Sequence, residues 1–142
     1  MVVRVVVVFA VGVGVGVGGS MSEPKVFIIQ NTYLRDHANA PLRPKYDLRG
    51  VNQFGRPVEV LHGQISPLAT APAMAELRHA LRNYSDDDYL LAIGAGAFLI
   101  AAGAIAAQNN NGRVHVLYWN GDAQKYFPIT FDVNNQQKEH LA

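Results

Sequence analysis

Cysteine is absent from this chain, which excludes disulfides, thiolate catalysis and cysteine-ligated zinc. Charge is scarce: 16% of the residues are Asp, Glu, Lys or Arg, and the formal net charge is +1. No global field therefore draws the protein to nucleic acid or to a membrane surface. The five histidines, His37, His62, His79, His115 and His140, include no i, i+4 pair and no H-E-x-x-H, so no zinc-ligand pattern stands out. Ser66 and Ser85 lie in expected turns without the strained G-x-S-x-G elbow. Asp86, Asp87 and Asp88 are consecutive, whereas a calcium loop alternates its ligands, so they read as a polar turn. Catalytic residues, metal ligands and cofactors are accordingly expected to be none.

What the chain does have is apolar length. Its 142 residues are 49% hydrophobic, enough for one domain with a core of its own. The stretch Tyr89–Trp119 organises the rest. Tyr89–Ala107 carries no charge over nineteen positions, the lower edge for a membrane-spanning helix. Gly94 and Gly96 break that run where a strand-to-helix turn belongs, leaving Ala95–Gln108 too short to span. The reading is a buried strand, Tyr89–Ile93, then a nearly all-apolar helix. Asn109–Gly112 follows as a cap and Arg113–Trp119 as a second strand. Gly96, Gly103 and Ala107 form a small-residue stripe that predicts close backbone contact along the helix.

Around that unit the other elements fall into place. Val26–Gln30 is a continuous β-rich run, so both of its faces are expected to be covered. Val58–Leu61 is a second short strand. Met74, Leu77, Leu81 and Tyr84 recur at helical spacing after Pro72, with Thr70 as a candidate N-cap. Asn120-Gly121-Asp122 signals a hairpin into Tyr126–Val133, where Pro128 suggests a sheet edge. His115 alternates with apolar residues in its strand and is expected to be partly buried and hydrogen-bonded. The predicted fold is α/β, a small mixed sheet of about five strands with two packed helices, in β-β-α-β-α-β-β order. The strand–helix–strand unit is expected to be parallel and right-handed.

The ends differ in character. Residues 1–20 are a low-complexity Val/Gly leader. Three readings compete: a secretory signal with Arg4 as its charged region, a membrane anchor, or an extension upstream of an ordinary cytosolic start at Met21. The expected domain is 21–133, with 1–20 packing against nothing and 134–142 a polar tail.

Two candidate sites emerge. Residues 31–57 read as a long loop with a short turn of helix near Leu48–Gln53, and loops of such length are often functional. Arg43, Lys45, Arg49 and Arg56, with Tyr46 among them, could hold single-stranded nucleic acid through phosphate contacts and base stacking. A solvated loop whose aromatics pin it to the core is the simpler reading. The second candidate is the Gly94–Gly96 turn, where a helix N-terminus could hold an anion. Leu99 stands where a dinucleotide fingerprint wants its third glycine, and no Walker lysine follows.

The segments YDL…FG…VEVL at Tyr46–Leu61, LR…SDDDYLL-IG at Leu81–Gly94 and AAGAIAAQNNNGRVHVLYWN…YFPITFDV at Ala101–Val133 resemble small uncharacterised proteins encoded in bacteriophage genomes. Those proteins carry Gly-Asp-Pro where this chain has Gly94-Ala95-Gly96, so a role for that acid would be missing here. The resemblance implies no activity and transfers no catalytic residue. The expected function is therefore a non-enzymatic phage accessory protein acting by protein–protein contacts or self-association in the host cytoplasm. Its contact surfaces would be an exposed sheet edge and the aromatic-basic loop. Its partner would be a host or phage protein, or a second copy in a homo-oligomer, with no membrane involved. The alternatives are nucleic-acid binding through residues 31–57 and nucleotide or phosphate binding at Gly94–Gly96.

Overall fold

The computed structural model describes residues 4–7, 23–63, 65–68 and 70–134. The chain runs through β1 (Arg4–Val7), β2 (Lys25–Gln30), β3 (Tyr33–Leu34), β4 (Arg43–Pro44), a 3-10 helix (Arg49–Gln53) and β5 (Arg56–Leu61). It continues through α1 (Thr70–Ala80), β6 (Tyr89–Leu91), α2 (Gly96–Asn109), β7 (Arg113–Asn120) and β8 (Lys125–Asp132). The main sheet is mixed, in the order β1-β8-β7-β6-β2-β5, and β3 pairs with β4 in a separate two-stranded ribbon. Strands β5, β2, β6 and β7 are mutually parallel, while β8 is antiparallel to β7 and to β1.

Both faces of β2 are covered, which explains its unbroken apolar run: all of Val26–Ile29 is buried. Phe27 and Ile29 face the two helices, packing with Leu77 of α1 and Phe98, Ala102 and Ile105 of α2. Val26 and Ile28 face the other way, onto Val51 and Phe54 beside the 3-10 helix and onto Leu117 and Tyr126. The β5-α1-β6 and β6-α2-β7 crossovers share the helical face and advance across the sheet in one direction. The β2-to-β5 connection crosses the opposite face in the other direction, so all three have one hand. Sheet growth therefore reverses at β2.

Several expectations are adjusted. The loop over residues 31–57 holds the small ribbon and the 3-10 helix. α1 ends at Ala80, and Leu81 and Tyr84 are buried in the turn that follows. β6 stops at Leu91 instead of Ile93. Strand β8 is not left as a sheet edge, because β1 pairs with it from Arg4↔Asp132 to Val7↔Ile129. Pro128, which has no N–H to offer a neighbour, lies just beyond that register. Those four leader residues are thus part of the sheet; most of the leader and the tail from residue 135 lie outside the described residues. Among the described residues, no helix is long and apolar enough to cross a membrane.

Candidate functional site

Where the growth of a parallel sheet reverses, ligands characteristically meet the carboxyl ends of the strands. At that place Gln30 Oε1 accepts the Ala95 amide at 3.0 Å and its Nε2 donates to the Gly63 carbonyl at 3.4 Å. Gly94 has φ +135°, and a Cβ on it would stand 2.7 Å from Cβ of Gln30. The glycine thus serves the close passage of Gln30, whose side chain already engages the Ala95 amide at the turn. A Cβ at Gly96 would meet nothing within 4 Å.

A notch opens beside this brace. β6 pairs with β7 only through Leu90↔Val116 and Leu91↔Leu117, while β7 runs on to Asn120. The outlying end of β7 and the departing Ala92–Gly94 segment therefore bound a cavity of about 580 Å³. Its walls bring together Lys45, Tyr46 and Gly94, which the sequence had placed in two separate candidate sites, with Tyr118, Trp119 and Tyr126, which it had not singled out. Trp119 meets Tyr126 edge-on, centroids 4.9 Å apart, and the Tyr126 hydroxyl donates to the Asp47 carbonyl at 3.1 Å.

The cations of residues 31–57 divide differently. Arg43, Lys45, Tyr46 and Arg49 share a shallow groove of about 550 Å³, whereas Arg56 lines a separate one between β5 and α1. Arg43 grips Asp36 at 2.8 Å, Arg49 grips Asp47 at 2.8 Å, and Arg56 lies 3.7 Å from Glu23. The Arg49 hydrogen bonds hold the Asp47 carboxyl down at about 2. The Lys45 ammonium sits 5.2 Å over the ring of Tyr46 and makes no ion pair among the described residues.

The helical face carries a second concavity. Leu99, Gly103, Ala104 and Ala107 on one side of α2 face Val114, Val116, Phe131 and Val133 across a groove of about 420 Å³. Close packing had been expected at Gly103, but a Cβ there meets nothing within 4 Å. Gly103 faces the groove and not a neighbouring backbone. On the same helix Ile100 is 77% exposed.

The polar cluster that sequence reasoning missed lies at the opposite end of the strands. His115, partly buried and hydrogen-bonded as its strand position suggested, places Nδ1 2.8 Å from Thr130 Oγ1 and Nε2 3.0 Å from Asp86 Oδ1. Asp86 also accepts from Arg113 at 3.0 and 2.8 Å and from Asn110 at 2.8 Å. Those Arg113 bonds, with help from His115 and Asn110 and against partial burial, hold the Asp86 carboxyl well below the usual range. The buried Tyr84 hydroxyl accepts the His115 amide at 2.9 Å and lies within donating distance of the carbonyls of Asp88 and His115. Asp88 turns inward instead, accepting the amides of Lys25 and Ser85, so the three consecutive aspartates diverge. This hydroxyl–imidazole–carboxylate chain lines none of the cavities described above. It clamps the Ser85–Asp88 turn and the end of α2 to β7 and β8. The sequence signals were an aspartate cluster before β6 and, separately, a histidine among apolar residues in β7.

A smaller polar corner lies at the carboxyl ends of β2 and β5. Buried Asn31 donates to Glu59 at 2.9 Å, and Tyr33 donates to the same oxygen. Burial pushes the Glu59 carboxyl up, but these hydrogen bonds and nearby His62 outweigh it and leave the pKa lowered. Asn31 Oδ1 accepts nothing from the described residues.

Compared with known proteins, residues 24–133 match the family model described as phage Pam3 gp32-like protein. No curated protein and no solved structure matches the chain.

Proposed function

The chain belongs to the phage Pam3 gp32-like protein family, and from that premise we propose that it is a small non-enzymatic accessory protein acting through protein–protein contacts in the host cytoplasm. The observation that supports this reading is the open side of α2. Fourteen residues without a charge leave Gly103 and Ala104 bordering an apolar groove, with Ile100 projecting nearby. A concave apolar surface on an outer helix face suits a partner that would cover it. The groove is lined by carbon-rich side chains alone, so it suits an apolar side chain of a phage or host protein, or of a second copy.

The test is Ala104→Arg, an exposed change that keeps helix propensity and puts a guanidinium at the groove. Sedimentation velocity at rising concentration and affinity capture from infected cells are compared for the two proteins. A dimer or a captured partner that the variant loses, with the unfolding midpoint unchanged, supports the reading. A chain that stays monomeric and captures the same proteins with or without the substitution overturns it.

A further inference from the structure

The notch differs from the groove in chemistry. Aromatic faces and a cation meet there at the carboxyl end of β6 and β7, next to the point where sheet growth reverses. We propose that the notch is a binding site for a planar heteroaromatic ring carrying an anionic group, the chemistry of a nucleobase with its phosphate.

Four features argue for it. At about 580 Å³ the cavity falls within the range of small-molecule sites. Its rings are accessible although they line a concavity: Tyr46, Tyr118 and Trp119 are 43%, 54% and 44% exposed. The wall is also built in advance. Tyr126 packs edge-on against Trp119 and ties its hydroxyl to the Asp47 carbonyl, so that part of the wall needs no ordering when a ligand binds. Charge is sorted as well. The Asp47 carboxylate is held by Arg49 at 2.8 Å, leaving the Lys45 ammonium over Tyr46 to meet an anion beside a ring that can stack. The site stands apart from the protein-contact reading, although Ala92, Val116 and Phe131 border both cavities.

Trp119 is the only tryptophan in the chain, so its fluorescence reports on the notch alone. The full chain is titrated at physiological salt with adenosine monophosphate, adenosine, inorganic phosphate and an octathymidylate strand. Saturable quenching by adenosine monophosphate, with phosphate alone inert, is expected. Tyr46→Leu should weaken binding about tenfold or more. Lys45→Ala should bring the affinities for adenosine monophosphate and adenosine together. Equal affinity for the strand and the mononucleotide identifies a free nucleotide as the ligand. Much tighter, salt-dependent strand binding identifies a single-stranded nucleic acid. No saturable quenching by either up to about 1 mM, a weak-site limit, overturns the proposal. So does binding that survives both substitutions unchanged. Ala104→Arg serves as the control: it should leave quenching intact whatever it does to protein partners.

Discussion

Gly94 and Gln30 stand so close that a methyl group at position 94 would sit 2.7 Å from Cβ of Gln30. The glycine also holds φ +135°, where an L side chain is strained. Gly94→Ala should therefore cost about 2–4 kcal/mol in urea unfolding, by overlap and strain together. Gly103→Ala should be neutral or stabilising by up to about 1 kcal/mol, since the space beside it is open and alanine favours a helix. Equal effects at the two glycines would contradict the geometry.

Tyr84→Phe should destabilise by about 1–3 kcal/mol, because the His115 amide loses its acceptor in a buried setting. The tyrosine itself should not ionise in ordinary alkaline buffer, as burial raises its pKa. An ultraviolet titration and a urea melt measure the two effects.

Asp86 makes stability depend on acid. Its folded pKa is depressed, so its contribution is fully present above the unfolded value of about 3.9 and fades as pH falls through the folded value. Asp86→Asn should flatten the loss of unfolding free energy below about pH 4. It should also lower stability at neutral pH by about 1–2 kcal/mol through weaker ties to Arg113 and His115. A variant with the full acid-side slope would show that another carboxylate sets it.

Arg43 and Arg49 should add nothing to any strand binding, because their guanidinium forks already close on Asp36 and Asp47. Replacing both by Ala should move the slope of log affinity against log salt by less than about one. A larger change would mean that these ion pairs open for phosphate.

Deleting residues 1–20 should preserve the fold, since among the described residues the buried core runs from Val26 to Tyr126. It should nevertheless lower the melting temperature by a few degrees, because β8 loses the backbone partner that pairs with Ile129–Asp132. Edge-to-edge association through the uncovered strand should rise. Calorimetry and light scattering check both outcomes, and an unchanged melting temperature would mean that the β1 pairing contributes nothing.

The sequence by itself determined the kinds of elements and which of them are buried. The unbroken VFIIQ run announced a strand covered on both faces, and the glycine break before an uncharged helix announced a parallel strand–helix–strand unit. Asn120-Gly121-Asp122 announced the hairpin. These are short-range properties of period, turn chemistry and propensity, and they act before distant parts of the chain meet. Only the tertiary structure decided what depends on distant partners. Strand order placed Gln30 against Gly94 and set the His115 ring between Asp86 and Thr130. The early stop of β6 opened the notch, and carboxylates within the loop or just before it engaged Arg43, Arg49 and Arg56. A side chain's period reveals the face it prefers; what stands on that face is set by contacts between residues far apart in sequence, which no local pattern records.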